Sequence, residues 1–177
     1  MIPARLPENE RDRLAVLRAY EILDAPVDTS IDDLTRLASI LCGAPIALIT
    51  LIDEKRQWFK SVFGPVVGFD FSEIPRETFF CQYTLLQDGV FEVPDALKDD
   101  RFSHAPLVAS DTGIRFYAGQ ALQTPEGVAL GTICVLDTQP RKLSPDQTIG
   151  LQILGRQAMS LFEKQRALAQ LAYANQR

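Results

Sequence analysis

The sequence predicts an α+β fold built on a mostly antiparallel sheet. Strand-like runs come in neighbouring pairs joined by short polar turns. Helical periodicity is clearest in two segments near the N-terminus and one long segment at the C-terminus. The clearest pair lies in residues 114–137, IRFYAGQALQTPEGVALGTICVLD, where two apolar runs flank Thr124-Pro125-Glu126-Gly127. Aromatic and β-branched residues bounded by Pro, Gly and Asp mark strands, and the short Gly-containing connection marks a hairpin. The second run, 128–136, has almost no polar residue on either face, which predicts a central strand covered on both sides.

Residues 8–23 read as a helix, with Leu14, Leu17 and either Ala19 or Tyr20 on one stripe, ended by Asp24-Ala25-Pro26. A second helix starts at Ser30 as N-cap, carries Ile31, Leu34, Leu37, Ala38 and Leu41 on its apolar face, and stops at Gly43. APIALITLID (44–53) is a dense strand, and QWFKSVF (57–63) is its return, with Trp58 and Phe63 as packing residues. Residues 64–72 read as loop. Pro75 opens a helix over 76–86, and 91–93 is a short strand. Residues 94–110 keep no single period and read as loop with a helical turn or two. Ser144-Pro145-Asp146-Gln147 combines an N-cap, Pro at the first helical position and Gln at the third, a capping box for the last helix. Beyond it Leu151, Leu154, Ala158, Leu161, Gln165, Leu168 and Ala172 alternate at three and four residues, a heptad-like seam. The seam suits pairing with a second copy or continuation into another module; the alternative is an ordinary packed helix with a frayed end.

The length of 177 residues fits one domain with a long appendage or one larger domain. A share of 46% hydrophobic and 23% charged residues is that of a soluble globular chain. A net charge of −5 argues against a nucleic-acid surface. There is no apolar run of membrane-spanning length and no apolar signal core in MIPARLPENERDRL, so the expectation is a cytoplasmic chain without membrane contact. Cys42, Cys81 and Cys134 are odd in number and far apart, which fits reduced, packed thiols rather than a disulfide frame or zinc site.

Catalysis has little to stand on. His104 is the sole histidine, and nothing in the sequence ties a Ser or Cys nucleophile to it. Neither GxxxxGK[ST] nor GxGxxG is present. Asp95, Asp99, Asp100 and Arg101 lie together in PDALKDDRFSH, either as a polar wall of a ligand site or as loop aspartates that cap turns and pair with arginine. Phe79-Phe80-Cys81 and Phe116-Tyr117 supply aromatic surface, with core packing as their default role. The loop-rich middle lies between strands and is able to roof one face of the sheet, a usual place for a small ligand.

ERDRLAVLRAYEILDAPVDTSIDDLTRLASILCGAPIALITLIDEKRQWFKS, IPRETFFCQYTLL, VPDALKDDRFSHAPLV, IRFYAGQAL and GTICVLDTQPRKLSPDQ, in this order, resemble the bacterial GAF domains over residues 11–163. The resemblance implies a six-stranded antiparallel sheet. It places the N- and C-terminal helices on one face, often as a dimer interface, and a loop- and helix-covered ligand pocket on the other. It implies a GAF body over 1–163 and a signalling-helix extension over 164–177 toward a covalently linked output module outside this chain, such as a histidine kinase or diguanylate cyclase. The implied role is a non-catalytic sensor of a signal-transduction protein; a ligand-free dimerisation module and a thiol-based reductase are the alternatives. Carried onto this chain, the pocket residues are Phe80, Cys81, Tyr83, Asp95, Phe102, Arg115 and Tyr117, with Phe116 turned to the helix face. The dimer seam is Leu151, Leu154, Ala158, Leu161 and Leu168.

The resemblance also narrows the ligand. The NKFDE-type motif of cyclic-nucleotide-binding members is absent. Cys81 is followed by Gln82 rather than the His of covalent bilin sites, and Tyr83 replaces the His of the related FC-x-H pattern. The cysteines do not match the placement in free methionine sulfoxide reductases, and a haem would rest on His104 alone. No covalent bilin, haem or metal is expected.

Overall fold

The computed structural model describes residues 1–65, 72–111 and 113–177. Two helices, α1 (Glu10–Tyr20) and α2 (Thr29–Cys42), precede the hairpin β1 (Ile46–Ile52) and β2 (Arg56–Phe63). Then follow β3 (Glu73–Pro75), the single-turn helix α3 (Cys81–Thr84), β4 (Phe91–Val93) and α4 (Pro106–Ala109). The hairpin β5 (Phe116–Gln123) and β6 (Ala129–Asp137) leads into α5 (Pro145–Asn175). The strands form one antiparallel six-stranded sheet in the order β3-β2-β1-β6-β5-β4. The α+β architecture expected from the sequence is the one observed.

β6 lies inside this sheet, paired to β1 on one edge and β5 on the other, and all nine of its residues are buried. The turn before it places Pro125 second and holds Gly127 at φ 85°, where the Gly127 N–H donates to the Thr124 carbonyl at 2.8 Å. Side chains alternate across the sheet. Ala47, Ile49, Leu51, Phe116, Ala118, Leu122, Ile133 and Val135 face the terminal helices, in one core with Leu17, Ile31, Ala38, Leu151 and Phe162. Leu48, Ile52, Tyr117, Cys134 and Leu136 face the other way, into a second core under α3 and α4.

Several local expectations need correction. α1 is shorter than residues 8–23, because Glu21 adopts the left-handed conformation at φ 56° and closes the helix; Tyr20, not Ala19, completes its stripe. Asp28, not Ser30, caps α2, accepting from the Ser30 N–H at 2.9 Å. Gly43 ends α2 at φ 62°, but Leu37 and Leu41 are exposed, and the buried face runs through Ile31, Thr35, Ala38 and Cys42. Phe63 is half-exposed at the end of β2 beneath the Arg36 guanidinium, whereas Trp58 packs on the helix-side core. The expected helix over 76–86 is a 3-10 turn (Arg76–Thr78), an extended Phe79 and α3. The Gln57 amide donates to the Arg76 carbonyl at 2.8 Å, and the Gln82 amide donates to those of Glu77 and Phe79, at 2.9 and 3.1 Å. These glutamines satisfy backbone acceptors that a helix would otherwise use. The expected 64–72 loop lies, for residues 66–71, outside the described residues.

One ion cluster ties α1 to the strand edge. Glu10 accepts from the Arg13 Nε at 2.8 Å and is also paired with the Arg76 guanidinium. Both arginines are buried. Burial pushes the Glu10 carboxyl up, but hydrogen bonds and charge from Arg13 and Arg76 outweigh it and bring its pKa to about 2.

The capping box of α5 is formed in both directions. The Gln147 N–H donates to Ser144 Oγ at 3.2 Å, and the Ser144 N–H donates to Gln147 Oε1 at 2.9 Å. Ser144→Ala therefore should destabilise the fold by about 1 kcal/mol. The check is a urea titration in which the midpoint falls while the slope stays constant. Within α5, Leu151, Leu154 and Ala158 are buried against the sheet of their own chain, and Leu161 packs partly against the same core. Of the five residues of the expected seam, Leu168 alone is strongly exposed, at 56%. Residues 167–177 are exposed throughout.

Candidate functional site

β5 carries Tyr117 on the face opposite α5; β4 pairs beside it at the sheet edge, and α3 and the 99–105 loop cover that face. Phe80 stacks on Tyr117 with ring centroids 4.9 Å apart and 13° between planes. Phe80 also meets Phe102 at 4.6 Å, and Tyr83 lies edge-on to Phe102 at 5.2 Å. Phe79 and Phe91 complete the cluster, at 6.3 and 6.0 Å from Tyr117. The Arg101 guanidinium caps it, about equidistant from the rings of Tyr83, Phe91 and Phe102, while Asp99 holds it in an ion pair at 2.7 Å. Phe80, Cys81, Phe102 and Tyr117 have no exposed surface. Of the expected pocket residues, these four and Tyr83 come together and fill the space under α3 with their own side chains.

Asp95 and Arg115 stand apart from that cluster. The Asp95 carboxylate accepts from the Leu97 N–H at 3.2 Å and caps a 3-10 turn (Ala96–Lys98). The Arg115 guanidinium donates to the carbonyls of Val108 and Ser110, at 2.6 and 2.9 Å. Both organise the covering loop. His104 is exposed.

Beneath the rings lies a polar nest that the sequence reading did not assemble. The Tyr117 hydroxyl and the Thr132 hydroxyl donate to Cys81 Sγ, at 3.3 and 3.1 Å. Thr84 Oγ1 is 2.7 Å from the Tyr117 oxygen, and Thr50 Oγ1 is 2.9 Å from that of Thr132. Because the single Tyr117 proton points at sulfur, Thr84 is the donor in its pair. Cys134 Sγ stands 3.9 Å from Cys81 Sγ. Gly119 makes the room: a Cβ there would come within 2.2 Å of the Tyr117 oxygen. Thr50 and Thr132 were the available signals, as polar residues in otherwise apolar strands.

An N-terminal strap closes the outer side. The Ile2 N–H donates to the Arg101 carbonyl at 2.8 Å, the Tyr83 hydroxyl to the Ile2 carbonyl at 2.6 Å, and the Ala4 N–H to Gln82 Oε1 at 2.8 Å. On the opposite face of the sheet, a cleft of about 660 Å³ runs between α5 and β5, with Gln120, Gly155, Arg156, Met159 and Glu163 in its walls.

The GAF domain family model matches residues 26–161. The chain belongs to the GAF domain family. A cyclic di-GMP phosphodiesterase of Pseudomonas aeruginosa is 41% identical over 135 residues, which is 76% of this chain. This GAF chain spans about a fifth of that protein's length, 22%. Among solved structures, the GAF domain of an Acinetobacter phosphoenolpyruvate-protein phosphotransferase superposes with a TM-score of 0.64 at 17% identity, covering 92% of this chain and 97% of that one. A type II free methionine-R-sulfoxide reductase from Thermoplasma acidophilum superposes at 0.62 with 10% identity, covering 82% and 96%. At these identities the two structures establish the shared GAF fold. No helix of the described residues is long and apolar enough to cross a membrane.

Proposed function

We propose that this GAF domain is the regulatory sensor of a bacterial signal-transduction protein, relaying the state of the α3–β5 site through α5 to an output module. The observation that carries this reading is the two-faced role of β5. Tyr117 points into the aromatic site, while Phe116, Ala118 and Leu122 on the same strand pack in the core that α5 completes. A change that moves Tyr117 therefore acts on the surface that seats α5. In this reading the domain body covers residues 1–163 and the helix extension covers 164–177, paired with a second copy, and an output enzyme such as a histidine kinase or diguanylate cyclase follows. A ligand shifts such a system only by preferring one of two arrangements. Here a small molecule has to displace Phe80 or Phe102.

That filled space favours a second reading, a ligand-free dimerisation and spacing module. Native mass spectrometry on the freshly purified chain separates the two: a dimer with a discrete extra mass supports the sensor, and a bare dimer supports the spacer. The pairing surface is tested at exposed seam positions, which leave the core alone. Leu168→Glu combined with Ala172→Glu should weaken dimerisation by about tenfold or more, at an unchanged melting temperature. A dimer of unaltered affinity would remove the tail from the interface.

A further inference from the structure

We propose that Cys81 and Cys134 are a reversible redox pair, which a hydroperoxide oxidises to a disulfide joining α3 to the central strand β6. The sulfurs are 53 residues apart in sequence and 3.9 Å apart in space. A disulfide requires closure to about 2.05 Å. The side able to move is α3, a single turn of four residues, whereas Cys134 is held in β6 between β1 and β5. Cys42, the remaining cysteine, lies at the end of α2 in the core on the opposite face of the sheet.

The surroundings divide the labour between the two sulfurs. Hydroxyl donors from Tyr117 and Thr132 converge on Cys81 Sγ, an arrangement suited to a thiolate. Burial raises the Cys81 thiol, yet hydrogen bonds from Cys134, Thr132, Tyr117 and Thr50 outweigh it and hold its pKa below the ordinary value. Burial pushes Cys134 well above that value. Cys81 is thus the attacking sulfur and Cys134 the resolving one.

In the first step the Cys81 thiolate attacks the hydroperoxide. An S–O bond forms, the O–O bond breaks, and the departing alkoxide or hydroxide takes a proton to leave as an alcohol or water. In the second step Cys134 gives up its proton and its sulfur attacks the Cys81 sulfenic acid. The S–S bond forms, the S–O bond breaks, and the oxygen leaves as water. Two thiols are oxidised by two electrons, and one hydroperoxide is reduced. Neither sulfur is exposed, so the oxidant enters only when the α3 roof lifts. The pair therefore records how often that roof opens.

The test is intact mass and non-reducing peptide mapping of the full chain after hydrogen peroxide treatment. The expected result is a loss of about 2 Da, a Cys81–Cys134 linked peptide, and return to the starting mass with dithiothreitol. Cys134→Ser should stop at a Cys81 sulfenic acid, about 16 Da heavier and trapped by dimedone. Cys42→Ser should leave the linkage intact. Three alkylatable thiols remaining after peroxide, or a linkage through Cys42 or between copies, would overturn the proposal. Because the mass readout does not involve α5, failure here leaves the relay reading standing, and loss of the relay leaves the pair standing.

Discussion

Replacing Glu10 with Ala should lower the stability of the domain by about 3 kcal/mol, because it leaves Arg13 and Arg76 buried without their shared carboxylate. For a chain of this length that corresponds to a fall in melting temperature of about 6–12 °C. The same cluster sets an acid limit. The Glu10 pKa falls from 4.5 to about 2 on folding, so the unfolded chain binds its proton more readily. The stabilisation is complete above pH 4.5 and is lost as pH falls through about 2. With allowance for solvent screening of a partly open carboxylate, it amounts to about 2 kcal/mol. Denaturant titrations of the wild type and Glu10→Ala at pH 7 and pH 2.5 should therefore show a gap that narrows on acidification. A constant gap would mean that Glu10 acts through packing rather than charge.

Gly131→Ala should cost about 3 kcal/mol or more. Gly131 sits in β6 opposite Leu51 and Leu122, and a Cβ there would lie 1.9 Å from the Thr50 carbonyl oxygen and 2.9 Å from the Leu51 Cα. Backbone of a neighbouring strand has to move, which no rotamer change avoids. Gly89→Ala is the matched control, since nothing lies within 4 Å of its added Cβ, and it should stay within about 0.5 kcal/mol of the wild type. The comparison is read from urea midpoints. A Gly131→Ala penalty below about 1 kcal/mol would show that the β1–β6 contact yields readily.

What the sequence disclosed follows the range of the interactions involved. The β5–β6 hairpin and the capping box of α5 are local, and their turn and cap residues spell them out. The failures came where distant side chains decide. Residues 76–86 carry a plausible helical pattern, but Gln57 and Gln82 bind their carbonyls instead. Leu37 and Leu41 match a helical stripe, but α2 is turned so that Thr35 and Cys42 face inward. In the site, the aromatic residues named from family resemblance do converge, whereas Asp95 and Arg115 serve the loop backbone. The meeting of Cys81 with Cys134, and the buried arginines with Glu10, depend on register and topology, which no spacing rule reports.

α5 is held over its first turns and exposed over its last, which is the geometry of a lever. Its fulcrum is the buried stretch from Leu151 to Phe162, and residues 167–177 beyond it are exposed. At 1.5 Å rise per residue, Arg177 stands about 22 Å beyond Phe162. A tilt of about 10° at the sheet would sweep that end sideways through about 4 Å. In the proposed relay, that sideways displacement is the movement a second copy paired along the exposed turns would meet.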